Sequence, residues 1–254
     1  MKKLLSYLSA LAILVSCNNN KTSDATASVA GETSTAAKST CEASGACGAY
    51  AWFKKGTVME YKMTSGAGKE MGKTRTVIND VRKDGAATVA EYTSTWGDGK
   101  TINASYKCEN GKIYMNMKSL FNDIMEGMKR PGVEIEVTDA YLAFPGSMKP
   151  GDDLEGGVFE MKMKQQGKDF MTMRSEVKDR KVESTEKITT DAGSWDCLKL
   201  VETRVMNAEM MGRKMPAQEI KSVQWFTPVA GLVKFASYDA KGNLSFETEL
   251  ISIK

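Results

Sequence analysis

Histidine is absent from all 254 residues of the chain. That absence excludes the Ser-His-Asp and Cys-His nucleophile arrangements, the H-E-x-x-H zinc site and every imidazole general base. Two carboxylate pairs remain, Asp152 with Asp153 and Glu134 with Glu136. We expect the first pair to lie in a solvated turn and the second on the outer face of a strand. The sequence therefore predicts no enzymatic activity, no catalytic residue and no cofactor.

The chain also lacks a strong net charge and an apolar run of transmembrane length. Its formal net charge is +3, and no stripe of Lys and Arg interleaved with aromatic residues occurs, so nucleic acid is not an expected partner. The apolar stretch Leu4 to Val15 has about 12 residues, whereas a helix needs about 20 to cross a bilayer. It follows Lys2-Lys3 and ends in a small residue before Cys17, which is typical of a cleaved secretory signal.

The ending Leu14-Val15-Ser16-Cys17 resembles the lipobox of bacterial lipoproteins. This resemblance implies cleavage before Cys17, a diacylglycerol thioether on its sulfur and acylation of the new amino terminus. The alternative is that Cys17 is an ordinary residue of the discarded peptide or of the mature start. Residues 18–40 contain no aromatic residue and no Leu, Ile or Met, and such a segment cannot bury enough apolar surface to fold. We predict a signal peptide over residues 1–16, a lipid-anchored flexible tether over residues 17–46 and an antiparallel β domain over residues 47–254.

The residue after Cys17 bears on the membrane that holds the anchor. Asn18 is not the acidic residue associated with retention in the inner membrane, which favours the outer membrane. No acidic run follows Cys17, so there is no obvious signal for export to the cell surface. We expect an outer-membrane lipoprotein that faces the periplasm, and the sequence leaves surface exposure open.

Four further cysteines follow Cys17, namely Cys41, Cys47, Cys108 and Cys197. An even number in an oxidising compartment indicates disulfides, and four cysteines allow three pairings. Cys41 and Cys47 bracket a short loop, whereas Cys108 and Cys197 each fall in a predicted strand. We predict that Cys108 and Cys197 lie close enough to bond. A zinc site is less favoured, because the C-x2-C spacing of structural sites is missing.

From Thr57 onward, apolar and polar residues alternate in one segment after another, with turn residues between them. Ile102, Ala104, Tyr106 and Cys108 share one face of such a segment, and Asn110-Gly111 then gives a strong hairpin signal. This period of two predicts a mainly β fold in which one face is buried and the other is solvated. We expect a single curved antiparallel sheet or half-barrel of about 11–13 strands, with one short amphipathic helix.

The helix is predicted from five apolar residues at helical spacing after Ser119, which would serve as the N-cap. These residues are Leu120, Phe121, Ile124, Met125 and Met128. The helix would pack over the sheet as part of the core, or it would act as a lid over a groove.

Seventeen methionines are present, and four of them have a suggestive spacing. If a hairpin turns about Gly167, Met161 falls opposite Met173 and Met163 opposite Met171, which places four thioethers on one face. Thioethers select Cu(I), so a copper site is one interpretation. Methionine also fills irregular apolar gaps. A buried cluster would indicate core packing, and an open, partly wet cluster would favour copper.

Four segments resemble the TapB-like family of bacterial envelope lipoproteins, a domain of unknown function. They are Gly56–Tyr61, Lys107–Tyr114, Asp191–Leu200, and Trp225–Lys234 followed by Tyr238-Asp239. The resemblance runs from about Cys47 to the end of the chain. It implies a curved antiparallel sheet similar to the half-barrel of lipoprotein carriers, and it supplies no catalytic residue.

Taken together, these observations predict a lipid-anchored envelope protein that acts as a non-catalytic binding or assembly module with an apolar groove. Its expected partners are the membrane, through the lipid on Cys17, and an apolar or lipid ligand or another envelope protein. The alternatives are Cu(I) handling through the methionine cluster and an enzyme of unrecognised class.

Overall fold

The structure is a computed structural model that describes residues 50–119, 131–138, 140–227 and 229–254. The predicted signal peptide, the lipid attachment residue Cys17 and the predicted tether lie outside the described residues. Within those ranges the chain forms one antiparallel sheet of 15 strands that is not closed into a barrel. The predicted fold class is therefore confirmed.

The bounds of the strands follow in chain order. They are β1 Val58–Ser65, β2 Glu70–Asp84, β3 Ala87–Trp96, β4 Thr101–Glu109, β5 Lys112–Asn116, β6 Val133–Val137, β7 Tyr141–Pro145, β8 Asp153–Leu154, β9 Gly157–Gln165, β10 Lys168–Thr190, β11 Gly193–Met210, β12 Arg213–Lys214, β13 Gln218–Thr227, β14 Gly231–Tyr238 and β15 Leu244–Ile253. Two of these, β8 and β12, have only two residues each. β8 pairs with β10 and β12 with β11, and neither belongs to the main strand order of the sheet. They explain why the sheet has more strands than the sequence predicted.

Alternation of apolar and polar residues explains why these segments form a sheet with one buried face. In β4, Ile102, Ala104, Tyr106 and Cys108 are buried while the residues between them are not. Asn110 and Gly111 then adopt positive φ angles of 50° and 71°, which a two-residue hairpin turn of type I′ requires. The hairpin predicted between Cys108 and Ile113 is present, with these two residues paired.

The order of strands across the sheet is β6-β9-β10-β11-β13-β14-β15-β1-β2-β3-β4-β5-β7. The two edge strands β6 and β7 are thus consecutive in the chain, although they lie at opposite edges of the sheet. Four residue steps separate Val137 from Tyr141, which limits the gap between the edges there to ~14 Å. The sheet must therefore curl until its two edges approach each other, with the buried face on the inside.

The turns of this curled sheet gather at two ends, because consecutive strands run in opposite directions. We call one the methionine end; it holds the turns β1–β2, β3–β4, β9–β10, β11–β12 and β14–β15. We call the other the aromatic end; it holds the turns β2–β3, β4–β5, β10–β11 and β13–β14. Residues Ala51–Phe53, which form a single 3-10 turn before β1, lie at the aromatic end.

Helical conformation begins directly after β5, at residues 117–119. The Ser119 backbone N–H donates to the Asn116 side-chain oxygen at 3.2 Å, so Asn116 is the N-cap and Ser119 occupies the third helical position. The predicted cap was thus three residues too late. The predicted helical residues Leu120–Met128 lie outside the described residues.

The predicted bond between Cys108 and Cys197 is wrong, because Cys197 is a free thiol buried on β11. Six strands separate β4 from β11 in the order of the sheet. Cys108 is itself disulfide-bonded. Spacing along the sequence could not have given this result, because alternation assigns a face to each cysteine but not a neighbour across the fold.

Candidate functional site

The predicted methionine register is confirmed. Met161 pairs with Met173 and Met163 with Met171 across the β9–β10 hairpin. Met161, Met163 and Met173 are only 4%, 9% and 3% exposed, and Met171 packs against the same core. By the criterion stated above, this burial favours apolar packing over a copper site. The four thioethers thus form a soft apolar lining inside the sheet.

A charged side chain enters the same interior through a bulge in β10. Met173, Ser175 and Val177 point inward, but the register shifts between Lys178 and Lys181, and the next buried residues are Arg180 and Val182. Asp179 has a φ of 51° at this point. Because side chains alternate with a period of two, a bulge exchanges the inner and outer faces of the strand. It therefore turns Arg180 inward.

Arg180 connects the two edges of the curled sheet. Its Nη1 donates to the backbone oxygens of Ala143 on β7, at 2.9 Å, and of Glu155. Its guanidinium carbon lies 4.4 Å from the centre of the Phe144 ring, a cation–π contact. β10 lies near one edge of the sheet and β7 forms the other edge. Arg180 therefore links the two edges through its own side chain.

Arg180 is also one partner of a buried ion pair. Its Nε donates to Glu202 Oε2 on β11 at 3.2 Å, and both side chains are 0% exposed. Burial lowers the pKa of Arg180, and the neighbouring Glu202 carboxylate opposes that shift. A buried ion pair adds little net stability, because the free-energy cost of desolvating the two charges is about as large as their mutual attraction. Its main effect is to fix the relative positions of the two side chains.

The interior contains polar atoms that this pair does not satisfy. Arg204 Nη2 lies 4.0 Å from Glu202 Oε1, which is too far for a hydrogen bond. Five buried polar atoms have no hydrogen-bond partner among the described residues: Arg204 Nε, Arg180 Nη2, Glu202 Oε1 and both amide atoms of Gln224. Such atoms are costly. Among the described residues, the buried charges are two guanidinium groups and one carboxylate.

Residues 50–53 close the interior at the aromatic end. Trp52 is fully buried and stacks on Tyr106 at 4.6 Å between ring centres, and Tyr106 stacks on Tyr92 at 4.6 Å. The Tyr50 hydroxyl donates to the Gly146 backbone oxygen at 2.9 Å. Burial raises the pKa of both Tyr92 and Tyr106, so these rings stay neutral. The segment that enters the domain from the predicted tether is therefore part of the core.

Gly231 packs against residues 50–53, which we call the plug. It has a φ of 75°, a conformation that favours glycine. A Cβ added there would lie 2.5 Å from Trp52 Nε1. The turn between β13 and β14 thus allows the indole to approach the backbone closely.

At the methionine end, the described residues form an apolar rim. Three of the six exposed large hydrophobic residues in the described ranges lie there: Met71, Met211 and Met215. Met211 is 72% exposed, at the tip of the β11–β12 turn, where Arg213 and Lys214 are also exposed.

The other residues singled out in the sequence have structural roles. The Asp152 carboxylate accepts the Lys149 backbone N–H within a turn, and Glu136 pairs with Lys164 on the outer face. Within the described ranges, no group of three or more His, Cys, Asp or Glu side chains could hold a metal ion. In the same ranges, no helix has the length and apolarity needed to span a membrane.

Comparison with known proteins places the chain in a family. The DUF3108-like family matches residues 54–250. The chain belongs to the DUF3108-like family. This match does not extend to the TapB-like family, so that resemblance stays a prediction. No curated protein matches the chain.

Two solved structures share the fold. A proposed lipoprotein from Parabacteroides distasonis is 20% identical with a TM-score of 0.59, over 80% of this chain and 96% of its own. A proposed exported protein with a YmcC-like fold from Bacteroides fragilis is 22% identical with a TM-score of 0.56, over 79% and 96%. At these identities the likeness shows the fold alone.

Proposed function

We propose that this protein is a lipid-anchored, non-catalytic envelope protein that binds an amphipathic or apolar ligand inside its curled sheet. The observation that carries the proposal is the contrast between the two ends of the interior. The aromatic end is filled by Trp52 and its stacked neighbours. The other end is lined by Met161, Met163 and Met173 and has an apolar rim. Methionine side chains adapt to different apolar shapes, which suits a lipid or acyl chain.

The proposed location is the outer membrane, through a lipid on Cys17, with the domain facing the periplasm. The lipobox supports it, as do the descriptions of the two fold relatives as a proposed lipoprotein and a proposed exported protein. The tether would join the domain at the aromatic end, because Tyr50–Phe53 pack there. The methionine end would then be the end remote from the point where the tether enters.

Native mass spectrometry of the mature chain, extracted gently from membranes, tests the binding role. We expect a bound lipid or acyl compound that is released on unfolding. Repeated preparations without a bound molecule, together with no binding of added acyl compounds, would contradict the proposal. Replacing Cys17 with Ala should in addition leave unlipidated precursor, and an unmodified Cys17 in the native protein would contradict the anchor.

Cu(I) handling is a second candidate, because the paired register brings four thioethers together. Competition with a Cu(I) chelator tests it, with all four methionines changed to Leu as the control. An affinity that the four changes leave unaltered, or no affinity at all, would eliminate this candidate. The burial of the cluster leads us to expect that result.

A further inference from the structure

We propose that the ligand is a long-chain carboxylic acid whose carboxylate binds Arg204 and whose tail runs toward the methionine end. This inference rests on the function proposed above and adds the chemical class of the ligand. It depends on three features of the interior, namely its unbalanced charge, its polar neighbours around Arg204 and the direction of its apolar lining.

The first feature is the charge of the buried cluster. Glu202 is already bonded to Arg180 at 3.2 Å, and that pair is neutral. Arg204 lies 4.0 Å from the same carboxylate and makes no hydrogen bond with a described residue through its Nε. An uncompensated cation in an apolar interior is strongly unfavourable. Binding of one anion would therefore neutralise the net charge of the cluster.

The size of the imbalance favours a carboxylate over a phosphate monoester. The cluster carries one surplus positive charge, from two guanidinium groups and one carboxylate. A carboxylate brings a single negative charge and matches this surplus. A phosphate monoester brings about −1.5 to −2 at neutral pH, which would leave a buried net negative charge.

The second feature is the pair of hydroxyl groups beside Arg204. On β10, Val177 lies opposite Arg204 and Ser175 lies opposite Met206. On β13, Ser222 lies opposite Glu202. Ser175 and Ser222 are both buried and are diagonal neighbours of Arg204 on the inner face, within reach of the same ligand group. A carboxylate at Arg204 thus meets hydroxyl donors from both neighbouring strands.

The third feature is the direction of the apolar lining. β11 runs toward the methionine end, so Met206 follows Arg204 on the inner face and Met210 lies near the turn. Six residues of strand span ~20 Å, the scale of an extended long acyl chain. Met173 and Met161 continue this lining on β10 and β9. Their unbranched side chains can repack around a tail.

Titration calorimetry on residues 17–254, expressed without the signal peptide and with Cys17→Ser so that no detergent is needed, tests the inference. Three probes separate the parts of the ligand: laurate, dodecanol with a similar tail but no charge, and acetate with the charge but no tail. Wild type should bind laurate at least tenfold more tightly than dodecanol, and acetate should give no detectable heat. R204M should lower laurate affinity at least tenfold, to the level of dodecanol.

Two further variants keep the result interpretable. R204K retains the charge, so it should keep a preference for laurate even if R204M fails to fold. R174M changes an arginine on the outer face of β10 that pairs with Glu160, and it should bind like wild type.

Equal affinities of wild type for laurate and dodecanol would overturn the carboxylate site and leave the apolar interior standing. Undiminished laurate binding by R204M would do the same. If neither alkyl probe binds wild type, the proposed function fails together with this inference.

Discussion

The two ends of the curled sheet are built in opposite ways. At the aromatic end, Trp52, Tyr106 and Tyr92 stack in register, and Gly231 is shaped to receive the indole. At the methionine end, flexible thioethers line the interior and the rim exposes apolar side chains. Stacked aromatic rings fit one arrangement closely, whereas methionines tolerate many. The fold thus combines a fixed closure with an adaptable lining, and substitutions should have unequal effects at the two ends.

The largest effect is expected from Trp52→Ala at the aromatic end. Removing a fully buried large side chain should lower the free energy of unfolding by ~3–5 kcal/mol, measured by urea denaturation of the mature chain. Trp52→Phe is the matched control. It keeps a ring against Tyr106 and removes an indole N–H that has no hydrogen-bond partner among the described residues, so its loss should be less than half as large. Equal losses for the two variants would show that stacking does not hold the plug.

Glycine substitutions sharpen the same comparison. Gly231→Ala and Gly242→Ala both place a Cβ at a positive φ, of 75° and 83°, which costs ~1–2 kcal/mol. Only Gly231 also meets the indole of Trp52, whereas nothing lies within 4 Å of a Cβ at Gly242. Overpacking should cost Gly231→Ala a further ~1–3 kcal/mol. Similar unfolding midpoints for the two variants would contradict the close fit of the plug.

Met173→Leu at the methionine end should be tolerated. An apolar exchange of similar volume costs less than ~1.5 kcal/mol, and the adaptable neighbours Met161 and Met171 can adjust. The same denaturation experiment measures the loss. A loss as large as that of Trp52→Ala would show that the methionine lining is as rigid as the plug.

The smallest effect concerns Cys197, whose thiol lies on β11 near the aromatic end. Burial raises its pKa to about 12 from an ordinary value of 9.0. The folded state therefore favours the protonated thiol, and this contribution is complete below pH 9 and is lost as the pH rises from 9 toward 12. Wild type should lose stability relative to Cys197→Ala over that interval. A constant difference between the two would mean that the thiol titrates normally.

Local pattern predicted much of this architecture. Alternation predicted the sheet, Asn110-Gly111 predicted a hairpin, and the position of Gly167 predicted the methionine register. Each of these follows from residues close in sequence. The bulge at Asp179 was missed, because a gap in the alternation of apolar and polar residues looks the same for a turn and for a bulge. The Arg180–Glu202 pair was missed for that reason.

Other features depend on contacts between distant strands. Whether Cys108 and Cys197 lie close together depends on the positions of β4 and β11 in the sheet, and the burial of Trp52 at the aromatic end depends on the curl of the whole sheet. One signal was available in the sequence. Glu202 and Arg204 occupy the same face of β11 as Leu200 and Met206, and charged residues at core positions of a strand indicate a buried polar site.

The central claim is that a ligand lies inside the sheet with its apolar part at the methionine end. Photocrosslinking with a long-chain fatty acid that carries a diazirine at its tail, followed by peptide mass spectrometry, tests this claim most directly. The account predicts crosslinks on the inner face around Met161, Met163 and Met173. Crosslinks concentrated at Trp52 and Tyr106, or on the outer face around Lys164 and Arg174, would contradict it.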